Sequence, residues 1–286
     1  MKYFGVILGV LAALTTCLPA SAITVTASGT WGTPGNTGKG LALGSDANET
    51  CFLSGVSGSL SGSAAYFPKN KGIEAIAQVM DEGGTWVLRT HAGIGAGVKA
   101  HATCINATAN RATFEFSDNL TGGSVPATPN RHCFLAKVWA TSGISGPQWP
   151  NKSIIPNLTI EKTNGQFDFG DSAVNNINGD LDYGGATARC VDIPPGDNWS
   201  FTLIGPGSTS HPATQTIALH VSPGGALVPI KDVACFMTAI SGNWISDAPD
   251  PLGWDDGVFL TADAAKFKSW RLTASSGRRG SVACVR

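Results

Sequence analysis

The chain has 286 residues, 42% hydrophobic and only 14% charged, with 19 basic side chains against 20 acidic ones. That even balance leaves no electrostatic footprint for nucleic acid or for an anionic membrane surface. The 36 glycines and short apolar runs suit a β protein with frequent turns.

The first 22 residues read as a secretory signal. Lys2 supplies the positive start, FGVILGVLAALTTCL the apolar stretch, and Ala20-Ser21-Ala22 the small residues a signal peptidase prefers. No later segment approaches the 18 or so consecutive apolar residues of a membrane span, so no transmembrane segment is expected. The mature chain is expected to be secreted, either extracellular or periplasmic.

Six cysteines follow the signal: Cys51, Cys104, Cys133, Cys190, Cys235 and Cys284. An even number behind a signal predicts disulfides, and an internal repeat selects the pairing. Cys-Phe-Leu/Met occurs three times, at 51–53, 133–135 and 235–237, each time with an aliphatic residue five places after the cysteine: Val56, Val138 and Ile240. Each copy ends at a second cysteine after small or polar residues (HATC, TARC, SVAC), which predicts the bridges 51–104, 133–190 and 235–284.

The repeat extends in both directions. ITVTAS, ATFEFS and WSFTLI are alternating strands ahead of the three Cys-Phe segments. IEAIAQV-DEGG-TWVLR, LTIEK-TNG-QFDF and GVFL…SWRLT read as hairpins, with Gly-Gly and Asn-Gly supplying positive φ. The domain reading is therefore a signal at 1–22 and β modules at 23–106, 107–191 and 192–286. The third is longer because STSHPATQTIALHVSPGG inserts what reads as an additional strand, with Ile217, Leu219 and Val221 on one face. The fold class is all-β: three homologous, disulfide-closed, sandwich-like modules in tandem, or alternatively one pseudo-threefold β-prism or trefoil-like domain. Phe52, Phe134 and Phe236 are expected core residues.

Chemistry is sparser. The five histidines show no metal-ligand spacing, and the lone Gly170-Asp171-Ser172 has no Asp-x-x-His partner downstream. Asp255 and Asp256 are adjacent and would point to opposite faces of a strand, so no carboxylate pair suits glycoside hydrolysis. Asn176, Asn178, Asp180 and Asp182 alternate as in the first half of a calcium loop, making calcium the one metal to consider; no other cofactor is expected. The aromatic-Pro-Asn-Lys segments at Tyr66 and Trp149, with Trp254 in PLGWDDG, offer flat apolar faces beside polar groups, as saccharide binding requires. Trp139 and Trp244, in or next to the Cys-Phe strands, are assigned to packing. The functional expectation is a secreted, non-catalytic, lectin-like or adhesin-like binder of saccharide or another cell-surface ligand. A structural coat or matrix protein and a secreted polysaccharide hydrolase are the alternatives.

Overall fold

The computed structural model describes residues 23–34, 40–58, 60, 75–91, 97–117, 123–140, 154–172, 184–205, 214–220, 226–228, 230, 233–243, 256–263, 268–275 and 277–286. Every regular element among them is a strand. The segment 23–106 holds β1 (Val25–Pro34), β2 (Leu41–Ser45), β3 (Thr50–Gly58), β4 (Ala75–Asp81), β5 (Thr85–His91) and β6 (Gly97–Ile105). The segment 107–191 and the residue after it hold β7 (Ala109–Ser117), β8 (Ser124–Pro126), β9 (Arg131–Ala140), β10 (Ile154–Thr163), β11 (Gln166–Ser172) and β12 (Gly184–Asp192). The remainder holds β13 (Asn198–Ile204), β14 (Thr214–Ala218), β15 (Ala234–Asn243), β16 (Gly257–Asp263), β17 (Ser269–Ser275) and β18 (Arg278–Val285).

These strands form three six-stranded antiparallel sheets, β1-β6-β3-β16-β17-β14, β2-β5-β4-β9-β12-β7 and β13-β18-β15-β10-β11-β8. Within each third of the sequence, the first, sixth and third strands form one layer and the fourth, fifth and second form the layer facing it. Each third is thus a three-over-three sandwich. Every layer then continues, by a direct ladder, into a layer of the neighbouring third: β3 to β16, β4 to β9, and β10 to β15. The sandwiches are not separate beads. They close a ring in which the first third is hydrogen-bonded to the last.

The three bridges join Cys51 to Cys104, Cys133 to Cys190 and Cys235 to Cys284, the pairs that the repeat implies. In each, the cysteines face each other across adjacent strands: β3 and β6, β9 and β12, β15 and β18.

The spacing of the repeated motif now has a physical reason. Strand alternation would place a residue five positions after the cysteine on the opposite face. Each Cys-Phe strand, however, carries one extra residue at the third position after its cysteine. Leu53 pairs with Ala102 but Gly55 with His101, leaving Ser54 extra; Ala136 and Thr238 hold the same place in β9 and β15. This bulge inverts the alternation and bends the strand. Cys51, Leu53 and Val56 consequently belong to one large core, as do Cys133, Leu135 and Val138, and Cys235, Met237 and Ile240. The phenylalanines of the motif point elsewhere. Phe52, Phe134 and Phe236 are fully buried in a second, smaller core with Ile23, Ile105, Val191, Ile193 and Val285. Their rings meet pairwise at 5.0, 4.8 and 4.7 Å. The three sandwiches therefore meet on a cluster formed by the same motif position from each.

The sequence-derived extra strand in the last third requires correction. Thr214–Ala218 pairs with β17 at the sheet edge, the place that β2 and β8 hold in the other two thirds. What is added is the longer route from β14 to β15, which includes the His220–Leu227 bridge. Leu219 is buried and His220 exposed, as the alternation implies; Val221 lies outside the described residues. No described helix is long and apolar enough to cross a membrane.

Candidate functional site

Strand direction divides the molecule into two ends. At one, the Phe52–Phe134–Phe236 cluster is joined by the first described residue, Ile23, and by short turns such as Asn164-Gly165, whose φ values of 47° and 77° are those of a tight hairpin. At the other end β3 stops at Gly58, β9 at Ala140 and β15 at Asn243, while β4, β10 and β16 begin at Ala75, Ile154 and Gly257. The ladders place these ends beside one another: Ala75 opposite Ala140, Ile154 opposite Asn243, and Gly257 opposite Ser57. The chain segments 59–74, 141–153 and 244–256 therefore all leave and re-enter the fold at this end. So does 173–183, between Ser172 of β11 and Gly184 of β12.

Tyr66, Trp149, Trp254, Asn176, Asn178, Asp180 and Asp182 all fall in those segments and lie outside the described residues, as do Trp244 and Asp255. The described framework at this end of the molecule is tightly built. Gly58, at φ 89°, lies where an added Cβ would sit 2.1 Å from the Gly97 carbonyl oxygen. Its N–H donates to the Asp256 carbonyl at 2.7 Å, and the buried guanidinium of Arg278 donates to that same carbonyl. Burial pushes Arg278 down to about 10, partly offset by the neighbouring Asp256 charge; it stays cationic at neutral pH. Trp139 is buried, as its packing assignment requires. Its ring lies flat against Gly185, where a Cβ would come within 2.4 Å of it.

A second feature is the outward row halfway along each sheet. In one sheet, Thr30, His101, Gly55, Phe259, Thr273 and Thr216 stand in register across the strands. His101 stacks on Phe259 at 5.2 Å with its Nδ1 3.0 Å from the Thr30 hydroxyl. The equivalent row of the next sheet is charged, with Glu115, Thr187, Lys137, Gln78 and Arg89. In the third it is small and hydroxyl-bearing, with Thr202, Ser281, Ala239, Thr159 and Gly170. One scaffold thus presents three different surfaces.

The remaining candidates are structural. Among the described residues, the one cluster with metal-ligating atom types, Glu49 with Cys51 and Cys104, offers no thiolate because its cysteines are bonded to each other. The Gly170-Asp171-Ser172 tripeptide closes β11, paired in register with Thr159, Leu158 and Asn157 of β10. Asp256 is buried, and its carbonyl organises the fold.

No protein-family model matches this chain, no curated protein matches its sequence and no solved structure matches its fold.

Proposed function

We propose that the chain is a secreted, non-catalytic binding protein that recognises saccharide, or a similar polyhydroxylated cell-surface ligand, through the segments at the end opposite the phenylalanine cluster. In this reading the three thirds are copies of one disulfide-closed sandwich, fused about a pseudo-threefold axis into a prism-like body. Three bridges within an all-β fold suit an oxidising compartment outside the cytoplasm.

The observation that carries the proposal is topological. The strands flanking the aromatic-bearing segments 59–74, 141–153 and 244–256 end side by side at one end of the molecule. Binding residues belong on loops held by a rigid scaffold. Three aromatic-bearing segments anchored on neighbouring strand ends would make weak single-sugar contacts additive through multivalency.

A glycan array with the mature protein, run with and without a calcium chelator, tests the proposal. Polysaccharide turnover is measured on the same polymers. Retention of defined glycans, lost in Trp149→Ala or Trp254→Ala proteins with unchanged melting temperature, is the expected result. Chelator-sensitive retention would assign calcium to Asn176, Asn178, Asp180 and Asp182. Turnover without retention would replace the proposal with a hydrolase, and silence in both assays with a structural coat or matrix protein.

A further inference from the structure

The outer rim of the third sandwich differs from those of the other two. There β13 is the outermost strand of its sheet, paired with β18 without a break from Asn198–Val285 to Ile204–Arg279. No described strand lies on its other side. Sheet edges are ordinarily protected by charge, proline, shortness or bulges, because an open edge invites another strand. The other rims show these devices. In the first sandwich β1 and β2 both carry register breaks, and β1 ends in Pro34. In the second, β7 carries Arg111, Glu115 and a register break, while β8 is three residues long and ends in Pro126. NWSFTLI has no charge, no proline and no bulge. It also carries Ile204, 61% exposed and the one large hydrophobic side chain of the described residues that is open to solvent. The facing edge strand of the same sandwich, TQTIA, is neutral and largely exposed too.

We propose that β13 is a dimerisation edge, and that its occupant is β13 of a second copy running antiparallel about a twofold axis near Phe201. Such a pair places Ser200 opposite Thr202 of the second copy, a hydroxyl pairing suited to antiparallel strands. A twofold arrangement consumes both edges and stops at two copies, which an uncharged and uninterrupted strand permits without any other partner. The two six-stranded sheets become one continuous sheet, and the side chain of Ile204 is covered near the junction. This inference does not rest on saccharide binding; each copy keeps its own loop-bearing end, so a dimer doubles the number of such ends.

The test is light scattering on the full mature chain over a wide concentration range, together with amide hydrogen exchange at the two extremes. The expected result is a mass that rises from one copy to two, with those amides of 198–204 that point away from β18 protected only at high concentration. Two β13 substitutions should each raise the dimer dissociation constant by at least about tenfold: Ser200→Lys because the two lysines lie diagonally across the twofold, and Ile204→Lys because a charge replaces the apolar side chain that the junction covers. Thr113→Lys on β7 should leave it unchanged. A mass of one copy at every concentration overturns the proposal. So does a dimer that resists both β13 substitutions or dissociates in Thr113→Lys. Should the substituted proteins fail to fold, concentration-independent exchange of 198–204 in the parent chain overturns it equally.

Discussion

The guanidinium carbon of Arg189, in the second third of the chain, lies 4.3 Å from the ring centroid of Trp86 in the first. The same side chain donates to the Cys51 carbonyl at 2.6 Å and to the Val79 carbonyl at 2.9 Å. Arg189 pairs across the sheet with Phe134, so it reaches the first sandwich from beside the phenylalanine cluster. Burial, reinforced by the nearby Arg111 charge and eased by Asp81, lowers Arg189 to about 10, and it remains protonated at neutral pH. The equivalent positions beside Phe52 and Phe236 are Thr103 and Ala283, so this clamp exists at one junction only.

Arg189→Ala should therefore destabilise the protein by about 3 kcal/mol, because two buried carbonyls lose their donor and the ring loses its cation. Arg189→Lys should recover only part of that, since an ammonium lacks the planar fork that serves both acceptors. Urea unfolding of the two variants checks both statements. A loss of under about 0.5 kcal/mol in the alanine variant would place the clamp's energy elsewhere.

The phenylalanine cluster should behave as one unit. Each of Phe52→Ala, Phe134→Ala and Phe236→Ala should cost about 3–5 kcal/mol. A double-mutant cycle between any two should show coupling of about 0.5–1.5 kcal/mol, reflecting ring contacts beyond simple area. Additive losses would mean that the three sandwiches are stabilised independently of one another.

Trp86 and Trp270 make matching hydrogen bonds, Nε1 to the Glu49 carbonyl at 2.7 Å and Nε1 to the Val233 carbonyl at 2.8 Å. Each acceptor stands two residues before a bridged cysteine. The second third has Phe167 at the corresponding hairpin position and makes no such bond. Trp86→Phe and Trp270→Phe should each cost about 1–2 kcal/mol for a stranded carbonyl and lost volume. Phe167→Trp should bring no comparable gain. Thermal unfolding of the three variants makes the comparison.

Acid should weaken the fold at the closed end. His132 stacks on Phe134, and burial together with the Lys162 charge lowers it to about 4, against a smaller opposing pull from Asp192. Burial alone would raise the Asp192 carboxyl. Hydrogen bonds from Asn110 and Arg131, and the charges of Arg131 and His132, outweigh that and hold it below its ordinary value. A histidine that stays neutral in the fold contributes fully above its unfolded value near 6.5, and the contribution is lost as pH falls towards 4. That loss is about 2–3 kcal/mol once partial exposure is allowed for. The depressed Asp192 adds a further loss at still lower pH. The slope between pH 6.5 and 4 should flatten in His132→Gln, measured as denaturation midpoint against pH.

Each bridge closes a loop worth about 4 kcal/mol in the chain-entropy model. Replacing one pair, for example Cys235 and Cys284 together by alanine, should lower stability by about 2–5 kcal/mol. Non-reducing peptide mapping should show no peptide linking two thirds of the chain. A 104–133 or 190–235 link would contradict the fold described above.

The sequence by itself determined most of the strands (though not β2 or β8), the three bridges and the burial of Phe52, Phe134 and Phe236, because alternation and repeated spacing are local properties that one chain writes several times. IEAIAQV could be a short helix on propensity, and its reading as a strand came from the same source: its equivalents LTIEK and GVFL argue for a strand. Three things were decided only by tertiary structure. The bulge at Ser54, Ala136 and Thr238 depends on register with a partner strand about 50 residues away, so nothing in Cys-Phe-Leu announces it. The division of each third between two sheets depends on which edges meet, and the ladders β3–β16, β4–β9 and β10–β15 join segments whose sequences show no mutual pattern. TQTIA read as an added strand because only its place beside β17 reveals that it fills the position of β2. Tyr66, Trp149, Trp254 and the Asn176–Asp182 segment were legible as chemistry from residue type alone. What brings their flanking strands to one end of the molecule is closure of the ring, a long-range property that hydrogen bonding between edges supplies and local sequence does not.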